Sequence, residues 1–156
     1  MNDIATPIAA YCIEDLSVGQ SASYERIVTD DDVRRFAEIS GDFNPLHLDE
    51  EFAKTTRFEG RIAHGMLAVT FISTVLGTRL PGAGCIFMGA SFKFKAPVRI
   101  GDVVHASCSV REINAAKNRV TFDCACTVGG KLVVEGEALV KVPSREQATK
   151  DSNEAA

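Results

Sequence analysis

The stretch AHGMLAVTFISTVLGT, Ala63 to Thr78, decides the fold. It holds no Asp, Glu, Lys or Arg, and its apolar residues fall on nearly every side of a 3.6-residue helix. A helix that is apolar almost all round is buried on most of its sides. The uncharged run begins at Ile62 and is interrupted by His64, Gly65, Thr70, Ser73, Thr74 and Gly77. A membrane span needs about 20 predominantly apolar residues, so a core helix is expected instead. Pro81 and Gly82 stop it.

Downstream the hydrophobic period changes to two. Phe92 and Phe94 alternate with Lys93 and Lys95, and strands are expected at Val103–Ile113, Val120–Val128 and Lys131–Val142. Gly129-Gly130 joins the last two as a tight hairpin turn. Upstream, Ser21–Val28 reads as a first strand. Thr29 caps a helix whose first turn, Asp30, Asp31 and Asp32, suits the positive end of the helix dipole. Val33, Phe36, Ala37 and Ser40 keep helical spacing until Gly41 and Pro45 break it, and Asp49 starts a short helix from Glu50 to Lys54. One buried helix with several antiparallel strands is an α+β arrangement, packed most economically as a curved sheet wrapped around that helix. The other sheet face is left for solvent or a second copy. Residues 1–15 form a lead-in, 16–143 a single domain and 144–156 a polar tail expected to fray.

The chain of 156 residues is long enough to bury a core without disulfide staples. Its net charge of −4 disfavours nucleic acid as a partner. Cys12, Cys85, Cys108, Cys124 and Cys126 are odd in number and lack the spacing of a disulfide framework or a zinc site, so they read as buried thiols of a reducing compartment. Met1 to Tyr11 has no basic region and carries Asp3, unlike a secretory signal. A cytoplasmic protein without a membrane partner is expected.

Two segments carry chemistry. SGDFNPLH, Ser40 to His47, gathers Asp42, Asn44 and His47 on a segment stiffened by Gly41 and Pro45. A carboxylate and an imidazole form an acid–base couple suited to activating water, and Asn44 supplies both a donor and an acceptor. Asp and Asn also make ordinary Asx-turns, and spacing alone leaves both readings open. In RIAHGML, Arg61 to Leu67, Gly65 stands where the helix starts, so its backbone N–H is placed to stabilise an oxyanion. Simple close packing explains the same glycine. His64 reads as a packing or hydrogen-bonding residue. His47, His64 and His105 have no metal-ligand spacing, and no cofactor is implied.

SGDFNPLHLDEEFA, Ser40 to Ala53, resembles the signature of the MaoC-like (R)-specific enoyl-CoA hydratases. LSVGQ (Leu16 to Gln20), IAHGML (Ile62 to Leu67) and LPGAGCIFMGASFKFKAPVRIGD (Leu80 to Asp102) resemble the same family in the same order. The resemblance implies a single hotdog fold, a homodimer and reversible (R)-specific hydration of trans-2-enoyl-CoA, as in the polyhydroxyalkanoate-linked members. It implies that Asp42 and His47 are the catalytic pair and Asn44 supports them. Gly65 gives an N–H to the thioester oxygen, and Ser73 lines the site. The substrate's phosphates would meet Lys93, Lys95 and Arg99, each of which also reads as part of a solvated strand face.

Three rivals remain at this point. A 3-hydroxyacyl-carrier-protein dehydratase would run the reaction in reverse on the same fold. A hotdog thioesterase would release free thiol. A non-catalytic acyl-CoA-binding module would have no use for Asp42, Asn44 and His47 together.

Overall fold

The uncharged run forms the central helix, α4 (Gly65–Thr78), in a computed structural model that describes residues 7–154. Leu67, Ala68, Val69, Phe71, Ile72, Val75 and Leu76 are its buried apolar side chains. They press against one antiparallel sheet of five strands in the order β1-β3-β4-β5-β2. The strands are β1 (Ser21–Ile27), β2 (Ile86–Phe94), β3 (Val103–Asn114), β4 (Arg119–Val128) and β5 (Lys131–Lys141). The chain forms the expected α+β hotdog, with α4 lying against β1, β2, β3 and β4.

Alternation explains which strand residues face the helix. Val104, Ala106, Cys108 and Val110 of β3, with Val120, Phe122, Cys124 and Cys126 of β4, are buried, and their neighbours are more exposed. Each such large side chain stabilises the fold by roughly 1.5–3 kcal/mol. Cys108, Cys124 and Cys126 are buried and behave as small hydrophobes, as expected, whereas Cys12 and Cys85 are only half-buried. All are free, and burial pushes the Cys126 thiol up to about 12. Register shifts at Phe87/Gly89, Val110/Glu112 and Cys126/Thr127 are bulges, which bend strands and increase their twist.

The other helices lie between β1 and α4 in sequence. They are α1 (Asp30–Ser40), α2 (Pro45–Leu48) and α3 (Glu50–Lys54). α2 is a single turn within the segment that sequence reads as loop, because Asn44 caps it and Pro45 presets its first residue. α4 starts at Gly65 rather than Ala63, since Ala63 N–H donates to Val98 O at 2.7 Å instead.

The frayed tail is not what the chain builds. Arg145–Glu154 forms α5. Ser144 caps it by accepting from Gln147 N–H at 3.3 Å, Arg145 pairs with Asp15, and Lys150 pairs with Glu146 at 2.6 Å. Residues 155–156 lie outside the described residues, as do 1–6 of the lead-in. From Ala9 the lead-in docks on the end of α4, with Ala9 N–H donating to Thr78 O at 2.9 Å and Ile13 buried.

Candidate active site

Local rules build the polar segment. Thr29 Oγ1 accepts from Asp32 N–H at 3.1 Å, and Asp32 Oδ2 accepts from Thr29 N–H at 2.9 Å, so a capping box fixes the start of α1. Gly41 ends α1 with φ 76, a left-handed conformation that costs glycine little. Asp42 follows at once, exposed, its Oδ1 accepting from Asn44 N–H at 3.2 Å. Asn44 Oδ1 accepts from Leu46 N–H at 3.0 Å, and the turn it caps delivers His47. Asn44 therefore caps α2 and fixes the path from Asp42 to His47.

His47 is only 8% exposed. Its Nδ1 lies 2.8 Å from Ile62 O. A carbonyl only accepts, so Nδ1 carries the proton and Nε2 of the neutral ring keeps its lone pair. Burial pushes the His47 pKa down. The Ile62 carbonyl opposes that, His64 lowers it further and Asp42 raises it. The net effect keeps His47 below the usual imidazole value, hence neutral at pH 7.

His64 holds the couple from behind. It is 2% exposed, and its Nε2–H donates to the backbone O of Asp42 at 2.9 Å. Its ring packs in tilted contact against His47, with centroids 3.9 Å apart and planes 34° apart, and against Phe36 at 4.8 Å and 51°. Its Nδ1 is buried without a partner, a cost of about 1–3 kcal/mol. Asp42, His47 and His64 bring ligand-type atoms within 4.8 Å of one another, a closeness that linear spacing hid. Each ring commits one nitrogen to a backbone carbonyl, and the two rings lie in tilted contact.

A cavity of about 200 Å³ opens in front of His47. Gly65, Ala68, Phe94, Val98 and Val134 line it with His47. The Gly65 N–H, in the first turn of α4, bonds no acceptor among the described residues. A Cβ at Gly65 would stand 2.8 Å from the Phe94 ring, so close packing and a free donor are both true of this glycine. The cavity thus joins the His47 imidazole, an apolar wall and a backbone donor, while Asp42 stands outside its lining with a carboxylate oxygen within 4.8 Å of a His47 ring nitrogen.

Comparison with known proteins agrees with that geometry. Residues 16–132 match the model of the MaoC like domain. The chain belongs to the MaoC-like domain family. It is 52% identical over 141 residues to the (R)-specific enoyl-CoA hydratase of Rhodospirillum rubrum, covering 90% of this chain and 98% of that one. It is 48% identical to the 3-hydroxybutyryl-CoA dehydratase of Methylorubrum extorquens, covering 86% of each. The solved (R)-hydratase of Aeromonas caviae, involved in PHA biosynthesis, superposes with a TM-score of 0.81 at 45% identity, over 83% of this chain and 99% of that one.

Within this MaoC-like domain the remaining candidates scatter. Ser73 does not line the cavity; it is exposed on the stripe of α4 that also carries Met66, Thr70 and Gly77. Eight residues separate it from Gly65, about 12 Å along a helix. Lys93 lies in a groove with Asp123, Glu135 and Glu137, away from His47. Lys95 lines the cavity but pairs with Glu135 at 2.8 Å. Arg99 donates to Phe58 O at 2.7 Å and so braces the segment beside the cavity. Sequence reasoning missed Arg57 and Phe58, which line the exposed end with the Arg57 guanidinium 4.8 Å from the Phe58 ring. No carboxylate among the described residues pairs with Arg57. An exposed Arg beside a Phe, just before the RIAHG segment, was the signal available.

Proposed function

We propose that this chain adds water reversibly across the double bond of trans-2-enoyl-CoA to give (R)-3-hydroxyacyl-CoA, with Asp42 and His47 as the catalytic pair. The observation that carries the reading is the neutral His47, its Nε2 unprotonated, in one cavity with the free Gly65 N–H and beside Asp42. The thioester carbonyl conjugates with the double bond and makes C3 electrophilic. Two acceptors, the Asp42 carboxylate and His47 Nε2, orient a water so that its oxygen lone pair meets C3. As the C3–O bond forms, Asp42 takes a proton and charge collects on the thioester oxygen. The Gly65 N–H stabilises that charge, a contribution of about 3 kcal/mol for a well-placed donor. The proton held by the pair then passes to C2, so hydroxide and proton are both accounted for. The step balances with no metal and no redox cofactor.

The carrier arm leaves by the exposed end, where Arg57, Lys95 and Arg99 supply positive charge for its phosphates. The working unit is a homodimer. β2 is an edge strand whose Ile86, Phe87 and Met88 are all exposed, and the outer stripe of α4 bears exposed Met66. A second copy would cover both and blunt the open edge. Ser73 would then face the dimer seam, where it could still line a site completed by both copies. No helix among the described residues is long and apolar enough to cross a membrane. Free buried thiols fit a reducing compartment, and we place the chain in cytoplasmic acyl-CoA metabolism, including fatty acid metabolism and polyhydroxyalkanoate supply.

Crotonyl-CoA tests this reading. The purified chain should abolish the enoyl ultraviolet absorbance without releasing thiol to a thiol reagent in a parallel cuvette. Thiol release would mean a thioesterase. No change with short, medium or branched enoyl-CoAs would mean a carrier-protein dehydratase or a binding module.

A further inference from the structure

Arg61 belongs to no part of the mechanism above, yet it is tied to it more closely than any other cation. Its side chain is 13% exposed. Nε donates to the backbone O of His47 at 2.6 Å, and Nη2 donates to Asp30 Oδ1 at 2.7 Å. Its own N–H donates to Glu50 Oε2 at 3.2 Å. Asp30 opens α1, the helix that ends two residues before Asp42, and is held from its other oxygen by Arg34 at 2.6 Å. Ile62, the next residue, takes the Nδ1–H of His47. Residues 61 and 62 therefore grip His47 twice, once by its main chain and once by its ring.

We infer that Arg61 is a positioning residue of the hydratase site, a clamp that fixes His47 relative to Asp42 by tying the turn of α2 to the start of α1; the inference rests on the hydration reading for its kinetic consequence. α2 is only one turn long, closed by His47 N–H to Asn44 O at 3.0 Å and Asp49 N–H to Pro45 O at 2.9 Å, and a single turn has little stability of its own to hold it in place. A guanidinium suits the task because its planar fork reaches two acceptors at once, a carbonyl and a carboxylate. Lysine is a point donor and reaches one of them. Without the clamp the turn drifts, and His47 Nε2 loses its alignment with the water. Misplacement of a reacting group by about 1 Å can cost up to 100-fold in rate. Binding of the acyl and carrier parts, made elsewhere in the cavity, is left nearly intact.

The experiment compares wild type, Arg61→Met, Arg61→Lys and Asp30→Asn in steady-state hydration of crotonyl-CoA, with nitrogen-15 NMR of the His47 ring and thermal melting of each variant. Arg61→Met should lower kcat by about tenfold or more while KM stays within about twofold, and Arg61→Lys should recover part of the loss. Asp30→Asn should cost less than Arg61→Met, since the bond to His47 survives. The His47 ring signals should shift in Arg61→Met. A kcat within about twofold of wild type in a folded Arg61→Met overturns the inference, as does a loss that matches the unfolded fraction. Should Arg61→Met not fold, Arg61→Lys decides: wild-type kcat there overturns it. Should wild type itself fail to hydrate crotonyl-CoA, the hydration reading has failed. The ring signals then judge Arg61 alone, and unchanged signals in a folded variant overturn the clamp.

Discussion

The two sides of α4 are built by different rules. Its buried face meets β3 and β4 through Ala68, Ile72 and Val75 against Ala106, Phe122 and Cys126, and each of these is placed by period alone. At the start of α4, His64 donates to Asp42 O, and the segment from Asp42 to Ile62 is held by single hydrogen bonds between residues distant in sequence, His47 to Ile62 O and Arg61 to His47 O. The core tolerates averaging over many weak contacts, whereas the site depends on a few that have no substitute. Mutations should therefore separate the two cleanly: core changes should unfold the chain, and site changes should silence it without unfolding it.

The sharpest such separation is expected at the catalytic pair. Asp42→Asn and His47→Ala should each fold with wild-type circular dichroism and lose about 10²- to 10⁴-fold in hydration rate. Wild-type rates in either would remove that residue from the mechanism. Ile72→Ala is the opposite case. Ile72 is fully buried, so the change should destabilise the chain by about 2–5 kcal/mol in urea unfolding, with kcat per folded molecule nearly intact. A collapse of kcat in the folded fraction would mean that core and site are not separable.

How much of each side was legible follows from the same contrast. Local pattern located α4, the spans of β3 and β4, and the cap at Thr29, because each depends on neighbours within a turn or a strand. Asp42 and His47 stood out because their residue types are suited to proton transfer and lie within one short segment. The contact of the His64 ring with His47 was hidden, since nothing local joins residues 47 and 64. Lys93 and Lys95 sit on the same strand in sequence, yet the sheet sends the first to an acidic groove and the second to the cavity. Ser73 kept helical spacing with the site but points out of the single chain. The tail's contacts with the lead-in, Arg145 with Asp15 and Arg145 N–H with the Glu14 carboxylate, join residues far apart in sequence and left no local signal.

A subtler division concerns pH. Burial holds His47 below its ordinary value, so the unfolded chain binds this proton at a higher pH than the folded one does. Its contribution to stability is fully present above the ordinary imidazole value of 6.5 and is lost as pH falls through the depressed one. Hydration should fall with His47 protonation, so kcat/KM should hold through the usual imidazole range and drop only at lower pH. His47→Gln should remove the matching loss of stability in pH-dependent unfolding. A rate that falls at or above the ordinary imidazole value would contradict a neutral His47. The smallest effect belongs to the frame outside both regions. Thr29→Ala removes one cap of α1 and should cost about 1 kcal/mol in thermal unfolding, leaving activity close to wild type.

The central claim is that this cavity delivers water to one face of an enoyl thioester. It is tested most directly by supplying crotonyl-CoA to the wild-type chain and coupling the product to a dehydrogenase specific for (R)-3-hydroxyacyl-CoA. The account predicts full oxidation of the product by that enzyme and none by an (S)-specific one. Product oxidised by the (S)-specific enzyme, or no hydrated product at all, would contradict it.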